Sequence, residues 1–231
     1  MKRVTILIAD DEPEIADLIA MHVEQEGYHA IKANDGAAAL QAVLAHPIDL
    51  AILDIMMPKL DGHELTRQIR ERYRFPIIFL SAKASDLDKI TGLVMGADDY
   101  MTKPFNPLEL MARVNAQLRR ALQLNAPHAG AKPVIESGGL MIDPDKRTVV
   151  LYGELVILTP KEFDILCLLA GNPNKVFSAE HIFQQVWGDA YYESGSGNTV
   201  MVHIRTLRKK LGEDKDKFVK TVWGVGYTFN G

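Results

Sequence analysis

The sequence predicts an α/β chain in two domains: a parallel five-stranded sheet covered on both faces, then a winged helix-turn-helix unit entered through an antiparallel sheet. Three observations carry this. Residues 1–120 alternate strand and helix patterns five times, which argues for a parallel sheet with helices on both faces. The stretch Asp49-Leu-Ala-Ile-Leu-Asp54-Ile-Met-Met-Pro58 holds four consecutive apolar residues, Leu50 to Leu53, as a doubly buried strand requires. The last third shows three helix patterns followed by two short strands around a glycine turn.

At 231 residues the chain is long enough for two ordinary domains, and 47% hydrophobic with 24% charged residues is the composition of a soluble globular protein. The one cysteine, Cys167, sits inside the apolar run Ile165 to Leu169 and reads as a reduced core thiol. Met1-Lys2-Arg3 leads into only six residues, five of them apolar, too few for a signal peptide or a spanning helix. A cytoplasmic protein without a membrane partner is expected. The net charge of −4 is carried by the first 120 residues, and the remainder is neutral. Composition alone therefore does not announce nucleic-acid binding, but Arg205, Arg208, Lys209 and Lys210 crowd one segment free of acids.

In order, Val4 to Ala9 is the first strand, ending on Asp10-Asp11-Glu12-Pro13. Pro13 suits a first helical turn, and that helix runs to Gly27. Strand Tyr28 to Ala33, helix Gly36 to Leu44, strand Leu50 to Asp54 and helix 62–73 follow. Then come strand Pro76 to Ser81, helix 85–95, strand Asp99 to Lys103, and a helix opened by Pro107 that runs to about Arg120. In a parallel sheet Asp10/Asp11, Asp54, Ser81 and Lys103 all arrive at the carboxyl edge, where such sheets bind ligands. A flavodoxin-like order, 2-1-3-4-5, sets strands 1 and 3 side by side at about 4.8 Å. Asp11 and Asp54 then need a cation between them, and hard oxygen ligands suit Mg²⁺. With an ammonium and a hydroxyl opposite, the edge becomes a phosphoryl pocket in which Asp54 is the nucleophile.

The pieces Ile8-Ala9-Asp10-Asp11-Glu12, Leu53-Asp54-Ile55-Met56-Met57-Pro58, Phe79-Leu80-Ser81-Ala82 and Gly96-Ala97-Asp98-Asp99-Tyr100-Met101-Thr102-Lys103-Pro104-Phe105 resemble the receiver domain of two-component response regulators. The resemblance implies Asp54 as phosphoacceptor from a sensor histidine kinase. It implies Mg²⁺ held by Asp11, Asp54 and the Met56 carbonyl with Asp10 assisting, Ser81 and Tyr100 as a switch pair, and Lys103 on the phosphoryl oxygens. A cis Lys103–Pro104 bond is expected as well. It further implies a homodimer when phosphorylated, pairing Lys89 with Glu109, Asp99 with Arg113 and Asp98 with Arg120. An aspartyl-phosphate phosphatase is disfavoured, because its general acid would stand two residues after the nucleophile, where this chain has Met56. No phosphate-binding glycine loop for nucleotide hydrolysis is present either. The chain is expected not to be an enzyme.

Residues 121–133, with Pro, Gly, Asn and Ala and no apolar period, read as a linker between a domain of residues 1–120 and one of 134–231. Val134-Ile135, Leu140 to Ile142, Thr148 to Leu151 and Leu155 to Leu158 are short strands broken by Gly and Pro turns. Thr159-Pro160-Lys161-Glu162 is a capping box opening helix 160–170, and Ser178 caps a second helix that ends at Gly188. A third helix spans about Asn198 to Leu211, and Phe218 to Val222 and Gly226 to Phe229 form a terminal hairpin. On that third helix Val200, Ile204, Leu207 and Leu211 make the core stripe. The opposite arc carries Asn198, Val202, Arg205, Thr206 and Lys209, flanked by His203 and Arg208. Second in a helix-turn-helix and followed by a wing, such an arc reads a major groove.

Leu158-Thr159-Pro160-Lys161-Glu162-Phe163, Val186-Trp187-Gly188, Asn198-Thr199-Val200-Met201-Val202-His203-Ile204-Arg205 and Val222-Trp223-Gly224-Val225-Gly226-Tyr227 resemble the OmpR/PhoB output domain, so the likeness covers essentially the whole chain. It departs at Met201, where Asp is common, and at Thr206 and Trp223, where Arg is common. Ile52 to Met56, Lys220 to Tyr227 and Pro107-Leu108-Glu109-Leu110 also resemble VanR-type glycopeptide-resistance regulators. The resemblance implies a phosphorylation-activated transcriptional regulator on promoter direct repeats, acting with RNA polymerase. Its implied DNA contacts are Asn198, Thr199, Met201, Val202, His203, Arg205, Thr206, Arg208, Lys209 and Trp223. A pure phosphorelay carrier is disfavoured by that helix.

Overall fold

The computed structural model describes residues 3–82, 96–123, 133–188, 196–212 and 217–230, with the backbone alone for 120–123 and 196–198. The chain divides into two compact units, Met1–Ala121 and Leu122–Gly231. The fourth helix expected in the first unit, over 85–95, lies outside the described residues.

The first unit is a five-stranded parallel sheet in the order β2-β1-β3-β4-β5, from β1 (Thr5–Ala9), β2 (His29–Ala33), β3 (Leu50–Asp54), β4 (Ile77–Ser81) and β5 (Asp99–Thr102). Side chains alternate across a strand, so a strand covered on both faces must be apolar throughout. In β1, Ile6 and Ile8 enter one core with Ile52, Leu80 and residues of the helices Pro13–Gln25 and Pro107–Gln123. Leu7 and Ala9 enter the other core, with Leu53, Phe79, Val43, Leu65 and Ile69. Those last three lie on the helices Gly36–Ala45 and Gly62–Arg72. Each fully buried Leu or Ile contributes about 2 kcal/mol.

Helix starts follow local chemistry. Asp35 and Asp61 cap their helices by accepting from Ala38 N (2.7 Å) and Glu64 N (2.9 Å). The helix expected to end near Arg120 continues to Gln123, since no Gly or Pro interrupts it there.

The second unit opens on an antiparallel sheet, β6 (Ile135–Ser137), β7 (Leu140–Asp143), β8 (Thr148–Leu151) and β9 (Glu154–Val156). Two of its expected bounds shift for one reason. Gly138-Gly139 and Tyr152-Gly153 all have positive φ, which makes two-residue hairpin turns, so pairing resumes at once in Ser137↔Leu140 and Leu151↔Glu154. Leu158 is thereby left to the approach to the next helix rather than to β9. The helices Pro160–Ala170, Ala179–Trp187 and Ser196–Lys210 follow, then the hairpin β10 (Val219–Val222) and β11 (Gly226–Phe229). The box at Thr159 closes both ways: Glu162 N donates to Thr159 Oγ1 (3.4 Å), and Thr159 N to Glu162 Oε2 (2.7 Å). β11 is stitched to the start of the second helix through Phe177, by Phe177 N to Tyr227 O (2.8 Å) and its reciprocal (2.9 Å).

Candidate functional site

The register of β1 and β3, Ile8↔Ile52 and Ala9↔Leu53, brings Asp10 and Asp54 to neighbouring positions at the carboxyl edge. Both are buried. Lys103, just past β5, closes the site. Its Nζ lies 2.6 Å from Asp54 Oδ2, 2.9 Å from Asp10 Oδ2 and 3.1 Å from Glu12 Oε1. Backbone amides fix the outer oxygens: Glu12 N donates to Asp10 Oδ1 (3.1 Å) and Met56 N to Asp54 Oδ1 (3.0 Å). Gly62 lets the start of its helix lie against the end of β3, because a Cβ there would lie 2.4 Å from the Asp54 carbonyl oxygen.

Charge is concentrated, with Asp10, Asp54 and Lys103 largely buried and Glu12 at the solvent side. Burial raises the Asp10 carboxyl above its ordinary value, opposed by the Lys103 and Glu12 hydrogen bonds and reinforced by the Asp54 charge. For Lys103 burial works against the charged form, but hydrogen bonds to Asp54 and Asp10 outweigh it, so the ammonium is held more firmly than usual. Asp10 Oδ2 is close to that ammonium yet lacks an aligned hydrogen bond among the described residues. Oxygens of Asp10, Glu12 and Asp54 gather within 4.8 Å of one another. Three hard carboxylates, one of them with an oxygen to spare, fit a divalent cation such as Mg²⁺.

Asp10, Asp54 and Lys103 come together. Asp11 is exposed and stands outside the gathered carboxylates, and Glu12 takes the third place. The acidic triplet in the sequence signalled a cluster; only the turn into the first helix selects its members. Met56 contributes its backbone at the site while its side chain is exposed. Ser81 is buried and its carbonyl accepts from Lys103 N (2.7 Å); Tyr100 is half-buried against the core. The Lys103–Pro104 bond is cis, as expected.

Among the described residues, the charges expected at an interface between copies have partners within the chain. Arg113 bonds Asp99 Oδ1 (3.1 Å) and Glu109 Oε1 (2.6 Å). Asp98, expected at the surface, is instead wholly buried, accepting from Arg70 (2.7 Å) and from Ile77 N (2.9 Å). Arg70 stands 28 residues earlier in the chain, and no local pattern marks it as the partner. Lys89 lies outside the described residues, as does the side chain of Arg120.

The third helix of the second unit needs a larger correction. Val202 (4% exposed) and His203 (1%) face inward, not to the open arc. A helix packed against two others buries a wide face, and here that face extends beyond the stripe of every third or fourth residue. His203 packs at 5.3 Å from Trp187, and its Nε2 has no hydrogen bond among the described residues. Burial pushes its pKa down to about 4. Beside it, Lys210 bonds the buried Glu162 (2.6 Å), and burial of Glu162 is overcome by Lys210 and by Thr159 N, leaving its carboxyl below the usual value. Thr206 Oγ1 donates to His203 O (3.0 Å). Arg208 donates to Val219 O (2.9 and 2.6 Å) and Thr221 Oγ1 (2.9 Å). Exposed on the same unit are Met201 (48%), Arg205, Lys209 and, at the hairpin tip, Trp223 (90%). Thr199 is half-buried, and the side chain of Asn198 lies outside the described residues.

Comparison with known proteins agrees with this geometry. Residues 6–115 match the response regulator receiver domain, and residues 153–229 match the transcriptional regulatory protein C-terminal domain. The chain is 48% identical over 227 residues to the regulatory protein VanRc of Enterococcus gallinarum, covering 96% of each. It is 47% identical to the regulatory protein VanR of Enterococcus faecium, again with 96% of each covered. Among solved structures, a cysteine-to-serine mutant of RitR superposes with a TM-score of 0.82 at 27% identity, over 99% of this chain and all of that one. The response regulator DrrB, described as a Thermotoga maritima OmpR/PhoB homologue, gives 0.51 at 31% identity over the full length of both.

Proposed function

The chain belongs to the two-domain response regulators of OmpR/PhoB type, DNA-binding transcriptional regulators, and from that premise we propose that Asp54 takes a phosphoryl group from a sensor histidine kinase and thereby promotes pairing on promoter DNA. One observation carries the reading: a buried carboxylate at a parallel-strand end, 2.6 Å from a lysine ammonium and grouped with two further acids. The Asp54 carboxylate oxygen attacks the phosphorus, the kinase imidazole leaves with the P–N bond pair, and Lys103 stabilises charge on the phosphoryl oxygens. Mg²⁺ would be held by Asp54 and Asp10, with the Met56 carbonyl and with Asp11 turned in from its exposed position while Glu12 stays on Lys103, and would neutralise the carboxylates and the incoming oxygens. Glu12 holds the Lys103 ammonium and is placed to release it when the anion arrives. Ser81 and Tyr100 then act as the switch, moving toward the phosphoryl group and into the core.

The phosphorylated receivers pair through Asp99, Glu109 and Arg113, exchanging bonds within one chain for bonds between two. Met201, Arg205, Lys209 and Trp223, with Thr199 and Thr206 beside them, meet DNA in the major groove and at the wing, on direct repeats and alongside RNA polymerase. Residues 1–120 and 134–231 would be the working domains joined by 121–133. Among the described residues no helix is long and apolar enough to cross a membrane, which suits work in the cytoplasm. With Met56 in place of a general acid, the chain accepts the group without turnover.

The test is acetyl phosphate with Mg²⁺ followed by mass spectrometry. Modification should map to Asp54 and vanish in Asp54→Asn. Full labelling of that variant would remove the assignment.

A further inference from the structure

In the second unit the recognition helix and the terminal hairpin are joined by one side chain whose chemistry resembles a DNA contact but whose geometry is different. The Arg208 guanidinium, from the last turn of Ser196–Lys210, makes two bonds to Val219 O and one to Thr221 Oγ1, both on β10. It is half-buried, and its charge opposes the upward push of burial on the Tyr227 hydroxyl of β11. The opposite strand of the hairpin is held by Phe177, where Gly226 leaves no room for a Cβ (2.0 Å from Phe177 O). The hairpin is thus pinned to the second helix on one edge and to the recognition helix on the other. Its tip carries Trp223 and Val225, 90% and 58% exposed, an apolar pair turned to solvent.

We propose that Arg208 is a positioning residue that latches the wing to the recognition helix, so that a duplex seated on the helix meets Trp223, which supplies aromatic rather than cationic contact at the wing. The inference rests on the DNA-binding reading above and deepens it. An arginine on phosphate releases counterions and steepens the salt dependence of binding, whereas one latched inside the domain does not. An indole stacked on sugar or base edges adds affinity that salt leaves alone. Loss of the latch lets the wing tilt, and the Trp223 contact goes with it.

The experiment uses the full-length phosphorylated chain with two probes, a duplex cut from directly upstream of its own gene and sonicated mixed-sequence DNA. Wild type, Arg208→Gln, Arg208→Lys, Trp223→Ala and Arg208→Gln/Trp223→Ala are titrated across a salt series. Arg208→Gln should weaken binding about tenfold, the loss of a small set of hydrogen bonds, without changing the slope of log affinity against log salt. In the Trp223→Ala background the same substitution should cost little. Arg208→Lys, which keeps the charge and the fold, should resemble Gln rather than wild type. Trp223 emission, isolated by difference from Trp223→Phe, should shift on DNA addition in wild type and less so in Arg208→Gln. A slope shallower by about 0.9 in Arg208→Gln would make it a phosphate contact and overturn the latch. Additive costs in the double variant would also overturn it. A wild-type chain that binds neither probe would instead remove the DNA-binding reading on which it rests.

Discussion

Acid should destabilise the second unit through His203. This imidazole is 1% exposed, packs on Trp187 at 5.3 Å and is faced by Glu162, Lys161 and Lys210. Burial holds its pKa at about 4 against an ordinary 6.5, while Glu162 opposes the shift and the two lysines add to it. The unfolded chain therefore takes up a proton below about pH 6.5 and the folded chain only near 4, so this contribution is complete above 6.5 and is lost as pH falls between them. At about 1.36 kcal/mol for each pKa step, the loss is roughly 2 kcal/mol by about pH 5 and roughly 3 by about pH 4. For a unit near 100 residues that lowers the melting temperature by roughly ten to twenty degrees. Tryptophan fluorescence follows the event cleanly, since the chain has two tryptophans, Trp187 and Trp223, both in this unit. Trp187 is buried and reports the core around His203. His203→Gln should flatten the pH dependence between about 6.5 and 4.5. The acid-linked loss from Glu162, whose folded carboxyl lies below the usual value, begins only under that window. Equal losses in wild type and His203→Gln would refute a buried, neutral imidazole.

Other substitutions test the remaining geometry. Lys103→Met leaves Asp10, Glu12 and Asp54 facing one another without their ammonium, so Mg²⁺ should raise the receiver's melting temperature more in the variant than in wild type, by differential scanning calorimetry. Gly62→Ala places a Cβ 2.4 Å from the Asp54 carbonyl and should cost about 1–3 kcal/mol by urea unfolding, together with slower labelling by acetyl phosphate. Glu162→Ala removes both the acceptor for Thr159 N in the capping box and the bond to Lys210, and about 2 kcal/mol should be lost by the same measure. Arg113→Asp should weaken the phosphorylated dimer in sedimentation, with recovery on adding Asp99→Arg; an unchanged dimer would place the interface elsewhere.

Much of this molecule could be read along the chain because the relevant forces act over a few residues. The doubly apolar strands, the glycine turns and the caps at Thr159 and Ser178 are each decided within a turn of helix or a hairpin. So was the convergence of Asp54, Asp10 and Lys103, once a parallel sheet sends every strand end to one edge. What the sequence could not decide was which of several similar side chains is used. Asp11 and Glu12 are adjacent acids, both exposed, and the turn after β1 brings only Glu12 to Lys103. Asp98 and Asp99 are adjacent too, yet successive residues near a strand face opposite ways, so one is buried on Arg70 and the other meets Arg113. Arg205, Arg208, Lys209 and Lys210 form one cationic run in the sequence. Helical rotation and the neighbours that fold against it turn Arg208 to β10 and Lys210 to Glu162, and leave Arg205 and Lys209 exposed. Type and approximate place are local properties of a chain; the partner of a charge is a property of what lies opposite, and only long-range packing decides that.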